Sequence, residues 1–171
     1  MDLEPIIGLE IHIQMKTRTK MFCGCDNRGE GAPPNTTICP ICTGHPGTLP
    51  TLNRTAVEFG TRMSLALGCR ILEHQKFDRK NYTYPDLPKG YQISMYDLPV
   101  GVEGHLDIPS AEGTTRIGIT RLHLEEDAAK LQHSADGKWS FVDYNRAGTP
   151  LMEIVTEPDF RKSADAKRFL Q

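Results

Sequence analysis

Ile6-Ile7-Gly8-Leu9-Glu10-Ile11-His12-Ile13-Gln14 alternates apolar and polar residues from end to end. Ile7, Leu9, Ile11 and Ile13 fall on one side, and Gly8, Glu10, His12 and Gln14 on the other. A period of two predicts a strand buried on one face only. It also carries a chemical consequence: Glu10 and His12 project in the same direction, about two strand rises apart.

Further strands are predicted downstream, over Tyr91–Tyr96, His105–Ile108, Thr115–Glu125, Trp139–Tyr144 and Leu151–Thr156. Ser110-Ala111-Glu112-Gly113 reads as the turn between two of them. Ala135-Asp136-Gly137 reads as another, because Asp-Gly favours a tight hairpin. One helix is expected after Asn53, which can cap it, with Val57, Met63 and Leu67 on its apolar side and Gly68 at its end. A second, short helix over Ala164–Leu170 is expected to start from Ser163. Strands in series with little helix between them predict an α+β fold with an antiparallel sheet. The final helix is short and meets no stop signal, so the 171 residues read as a truncated fragment of a longer protein.

A net charge of −2 argues against a chain that is basic throughout, so any nucleic-acid contact must come from a local patch. No apolar run approaches the roughly 18 residues of a membrane span. The acidic start Met1-Asp2-Leu3-Glu4-Pro5 lacks the layout of a signal peptide, making the cytoplasm the expected compartment. In a reducing compartment, five cysteines point to metal or free thiols.

Four of them form two close pairs, Cys23-Gly24-Cys25 and Cys39-Pro40-Ile41-Cys42, joined by a turn-rich insert. This is the ligand pattern of a structural zinc knuckle over residues 21–45, closed by four thiolates and therefore not catalytic. Free thiols in a loop are the alternative. Cys69 lies outside the set and reads as core, and His45 is a weaker ligand candidate than the four cysteines.

Acidic residues on three predicted strands stand out: Glu10 beside His12, Glu125 in Leu122-His123-Leu124-Glu125, and Glu153 among the apolar Leu151-Met152-Glu153-Ile154-Val155. Carboxylates are seldom buried without a partner. If these converge they need a cation, and Mg²⁺ suits carboxylate oxygens; if they do not, they are scattered charges on a solvated face. The segment Lys76–Gln92 is rich in groups that grip phosphate and stack on bases: Arg79, Lys80 and Lys89, with Tyr82, Tyr84 and Tyr91. A charged surface turn is the bland alternative. Asp143–Pro150 is a second polar turn and carries Asn145 and Arg146. No phosphate-binding loop ending in Gly-Lys-Ser/Thr is present, so a bound nucleotide would need another cradle.

Several of these runs, in this order, are similar to the B-subunit family of the tRNA-dependent amidotransferases. They are Ile6–His12, Met21–Cys25, Pro34–Cys42, Gly44–Pro50, Phe77–Gln92, His123–Asp127 and Asp143–Thr156. The resemblance implies a cradle-shaped antiparallel sheet like that of glutamine synthetase and the guanidino kinases. It implies an ATP-dependent ligase that phosphorylates the side-chain carboxylate of misacylated Glu-tRNA(Gln) or Asp-tRNA(Asn), then replaces the phosphate with ammonia. Carried over by motif, Glu10, His12, Glu125 and Glu153 would be catalytic and hold Mg²⁺. Arg79, Lys80, Tyr82, Lys89, Asn145 and Arg146 would bind phosphate or substrate, and Cys23, Cys25, Cys39 and Cys42 would bind zinc. The implied partners are the amidase, or A-type, subunit, the small C-type subunit and misacylated tRNA, with no membrane or DNA. The family's helical and tail domains would follow this one, and the related archaeal E-type subunit shares its pattern. The competing class is a zinc-knuckle module that docks on RNA without chemistry.

Overall fold

The computed structural model describes residues 3–111 and 113–171. Met1 and Asp2, at the acidic start, and Glu112, in the expected turn, lie outside the described residues. The element order is β1 (Glu10–Gln14), α1 (Arg54–Ala66), β2 (Arg70–Ile71), β3 (Asp78–Asn81), β4 (Tyr91–Ser94), β5 (Gly101–Ser110), β6 (Gly113–Glu126), β7 (Lys130–His133), β8 (Ser140–Asp143), β9 (Pro150–Thr156) and α2 (Ser163–Phe169).

Seven of the strands form one antiparallel sheet, ordered β1-β9-β6-β4-β3, with β5 paired to β6 and β2 to β5. The long β6 organises it. One edge of β6 takes β9, and the other takes β5 along its first part and β4 near its end. The α+β class and the antiparallel sheet are as the strand series predicts.

Alternation divides the sheet into two chemically distinct faces. Ile11 and Ile13, Met152 and Ile154, Leu122 and Leu124, and Ile93 face a shared core, on which α1 packs. The opposite face is polar and carries the site described below.

Asn53 caps α1, accepting a hydrogen bond from the Ala56 N–H, and Gly68 follows its end at φ 66°. The fully buried line of this helix, however, is Ala56, Gly60 and Ser64, with Val57 and Met63 packed beside it. Small residues four apart let the helix lie close on the sheet: a Cβ on Gly60 would come within 2.7 Å of Leu124 Cδ2. The helix C-terminus is seated just as closely on β5. A Cβ on Gly104 would sit 2.5 Å from Cys69 Sγ and 2.6 Å from the Leu67 carbonyl oxygen. Because one of those atoms is backbone, Gly104→Ala is expected to destabilise the domain by about 2 kcal/mol in urea unfolding; an unchanged midpoint would show that the seat can yield.

Three local expectations are corrected. The ladder of the first strand runs only over Glu10–Gln14, because the Leu9 N–H donates to the Thr156 hydroxyl and Ile7 bridges separately to Phe160. The turn between β7 and β8 is no two-residue hairpin. It runs from Ser134 to Trp139, and the Asp136 carboxylate accepts from both the Ser134 hydroxyl and the Lys138 N–H, holding a wider loop. Ser163 is the first residue of α2 and not its cap; Lys162 takes the N-cap position, and its side chain does not cap the helix.

Candidate functional site

Register builds the site. On the polar face, His12 of β1 lies directly opposite Glu153 of β9, and Glu153 lies directly opposite His123 of β6. One row therefore reads His12, Glu153, His123 across three strands. Two residues along β6, Glu125 lies opposite Ser94 of β4.

The side chains close up accordingly. His12 Nε2 is 3.1 Å from Glu125 Oε1 and 3.3 Å from Glu153 Oε2. From the other side, His123 Nε2 is 3.1 Å from Glu153 Oε2 and 3.7 Å from Glu125 Oε2. Ser94 Oγ donates to Glu125 Oε2 at 3.1 Å. The two carboxylates thus lie between a half-exposed histidine and a fully buried one. Burial pushes the His123 imidazole down, but its hydrogen bonds to Glu125 and Glu153 outweigh this and leave it raised. The same contact with His123 holds Glu153 below its ordinary value, despite burial.

Donor atoms of His12, Glu125 and Glu153 all lie within 4.8 Å of one another, close enough to share one ion. They open into a cavity of about 950 Å³, also lined by Glu10, Arg79, Lys80, Tyr82, Tyr96 and Arg121. Acid at the centre with cations at the rim is the arrangement expected for binding a metal together with an anionic substrate.

The second group is the knuckle. The sulfurs of Cys23, Cys25, Cys39 and Cys42 lie within 4.8 Å of one another, and those of Cys39 and Cys42 are 3.9 Å apart. Tetrahedral zinc with Zn–S of about 2.3 Å spaces its sulfurs by about 3.8 Å, so these residues fit the ion. Cys42 is the natural thiolate of the set. A hydrogen bond from the Cys23 thiol lowers it to about 4 against the opposing effect of burial, helped by the Cys39 N–H and by Lys20. Burial and the sulfur neighbours push Cys25 up to about 11, and Cys23 is driven higher still, first by its bond to Cys42. Four thiols this close cannot all ionise unless a cation joins them.

A sequence model of the GatB/GatE catalytic domain matches residues 5–171. The chain belongs to this family. It is 57% identical over 168 residues to the B subunit of the aspartyl/glutamyl-tRNA(Asn/Gln) amidotransferase of Brevibacillus brevis, covering 98% of this chain and 35% of that protein. The B subunit of Thermomicrobium roseum is 57% identical over 173 residues, covering 100% and 36%. That of Persephonella marina is 56% identical over 171 residues, covering 100% and 35%. The chain thus spans about a third of the length of these curated relatives.

Within this GatB/GatE catalytic domain, the residues singled out from sequence divide clearly. His12, Glu125 and Glu153 converge. Glu10 lines the same cavity, exposed, one row away from the group. Lys80 and Tyr82 also line it; Arg79 touches it too, but lies opposite the core-facing Ile93, with its guanidinium carbon 4.6 Å from the Tyr91 ring centre. Lys89 instead turns to the other side of the sheet, where its Nζ lies 2.6 Å from the buried Glu126, beside a smaller cavity of about 250 Å³ reaching Cys42. Asn145 is spent on structure: its carbonyl accepts from the Thr36 and Thr37 N–H groups, and its amide donates to the Pro33 oxygen. Arg146 donates to the carbonyls of Ala128 and Ala129. Sequence reasoning passed over His123, Ser94 and Arg121. The signal for two of them was available, since Arg121 and His123 share the parity of Glu125 on β6; Ser94 depends on a pairing that no local pattern reveals. No helix among the described residues is long and apolar enough to cross a membrane.

Proposed function

We propose that this domain is the kinase and transamidase centre of the B subunit of a tRNA-dependent amidotransferase. It would activate the side-chain carboxylate of misacylated Glu-tRNA(Gln) or Asp-tRNA(Asn) with ATP and replace the phosphate with ammonia. The observation that carries the reading is the convergence of His12, Glu125 and Glu153 on one polar sheet face, in a cavity rimmed by cations.

Ammonia cannot convert a carboxylate to an amide directly, because oxide would have to leave the acyl carbon. Transfer of the γ-phosphoryl group to the carboxylate oxygen releases ADP and gives an acyl phosphate, from which phosphate departs readily. Such transfer depends on positioning and on neutralising charge. His12 Nε2 and the Glu125 and Glu153 carboxylates form the donor set for Mg²⁺. When bound there, the ion supplies positive charge against the polyphosphate. The protein's own part is to hold that set rigidly. Ser94 and His123 orient the two carboxylates, while Lys80 offers charge to phosphate oxygens at the rim.

The broad antiparallel sheet is compatible with a cradle of the glutamine synthetase type. The partners under this reading are an amidase subunit delivering ammonia, a small third subunit and the tRNA. Helical and tail domains beyond this one would provide most of the tRNA affinity.

In the complete enzyme without an ammonia donor, we expect ADP formation that requires both a divalent cation and misacylated tRNA. Radiolabel from γ-labelled ATP should appear on the aminoacyl group. Hydrolysis of ATP indifferent to the aminoacyl group, or no label transfer at all, would sink the proposal.

A further inference from the structure

Arg121 stands out among the cations of this site because its Nε is buried without a hydrogen-bond partner. It projects from β6 on the polar face, in the row beside His12, Glu153 and His123, and lines the large cavity. Several other arginines are committed: Arg54, Arg70 and Arg116 pair with carboxylates, and Arg146 is held by carbonyls. Among the described residues Arg121 makes no ion pair of this kind, although Glu10 and Glu153 share its cavity, and its Nε is buried without a hydrogen-bond partner. Its guanidinium carbon instead lies 5.5 Å from the ring centre of Tyr96, itself largely exposed. Stacking of this kind fixes the plane of a guanidinium while leaving its N–H fork unoccupied. Buried N–H groups without partners are rare in folded proteins, and one at a cavity wall is a group awaiting a ligand acceptor.

Its position along the face says which ligand. The strand order on β6 is Arg121, His123, Glu125, with Asp127 following it. Lys80 lies opposite Gln92, and Asp78 opposite Ser94, so Lys80 stands toward the Asp127 end. Arg121 and Lys80 therefore flank the acidic group from opposite ends. Phosphoryl transfer brings two anions together in line, a polyphosphate from one side and an oxygen nucleophile from the other. Cations at both ends of the acidic centre match that demand.

We propose that Arg121, presented by Tyr96, binds an oxyanion of the reacting substrates through its guanidinium fork. This rests on the reading of the cavity as a phosphoryl-transfer site. The ligand is either a phosphoryl group of ATP or the carboxylate that receives it, and the planar fork suits both.

The test uses the complete enzyme carrying Arg121→Gln, Arg121→Lys or Arg121→Ala, with melting temperature as the control for folding. Arg121→Gln is expected to raise one KM at least about tenfold: that for ATP if the fork holds phosphate, or that for misacylated tRNA if it holds the carboxylate. Arg121→Lys should recover only part of the loss, and guanidinium salts should rescue Arg121→Ala. Both KM values within about twofold of wild type would overturn the assignment. So would a loss of activity that follows a fall in melting temperature and that guanidinium does not repair. Should the wild-type enzyme show no tRNA-dependent ATP turnover, the parent reading fails. Calorimetric binding of tripolyphosphate then decides Arg121 separately: weaker binding in Arg121→Gln upholds it, and equal or absent binding removes it.

Discussion

Glu153→Gln, in the complete enzyme and under the proposed function, is expected to lower kcat for ATP-dependent amidation by at least about 100-fold while leaving the domain folded. The substitution conserves shape and removes a single charge. Glu153 occupies the middle of the row His12, Glu153, His123, with its carboxylate 3.3 Å from one imidazole and 3.1 Å from the other. An amide in that place can still accept a hydrogen bond from His123, so the buried histidine keeps a partner and the melting temperature should move by only a few degrees. What disappears is half of the negative charge that Glu125 and Glu153 together offer to a divalent ion. Binding of Mn²⁺, followed by electron paramagnetic resonance, should weaken in parallel with kcat. Because the bond to His123 holds Glu153 below the ordinary carboxylate range, the wild-type group remains ionised through mildly acidic pH. Loss of activity on acidification should therefore not begin with this residue. A Glu153→Gln enzyme retaining kcat within about threefold of wild type would remove the acidic row from the mechanism.

How much of this was legible beforehand follows from the physics of strands. Alternation is local, so the pairing of Glu10 with His12 on one side, and of the leucines against Glu125, could be read directly from spacing. Glu153 was conspicuous for its apolar neighbours, and it does lie on a buried central strand. The meeting of β1, β9 and β6 could not be read, because register between strands far apart in the chain depends on the whole sheet. The same limit applies to Asn145 and Arg146. Composition marks them as polar turn residues with useful groups, but only the fold shows those groups hydrogen-bonded within the protein. For α1, attention to large apolar residues missed the small-residue line Ala56, Gly60, Ser64, whose value lies in the close approach it permits.

Removing Cys42 should have the largest effect on stability. In Cys42→Ser, the protein is expected to lose its zinc, from about one ion per chain to nearly none by elemental analysis, and more than about 4 kcal/mol of stability. From Met21 to Pro50 the chain forms no helix or strand, so few of its contacts are renewed if the centre opens. Cys42 is buried, accepts from the Cys39 N–H at 3.2 Å, and has the ammonium of Lys20 at 3.8 Å. Lys20 is itself fully buried, and its other polar contact is the Tyr144 carbonyl. Without an anionic sulfur nearby, that ammonium loses its counter-charge, which adds to the loss of the metal. The damage should also reach the acidic site. The Met21 N–H donates to the Gly148 carbonyl at 2.7 Å, tying the knuckle to the turn that leads into β9 and Glu153. Activity should then fall along with zinc content, although no cysteine enters the cavity where His12, Glu125 and Glu153 meet. Cys69→Ser is the matched control, since Cys69 lies outside the cluster and should leave zinc content unchanged. Zinc-free wild-type protein of full stability would establish the free-thiol reading, and equal zinc loss in both variants would show that the cluster is not the binding site.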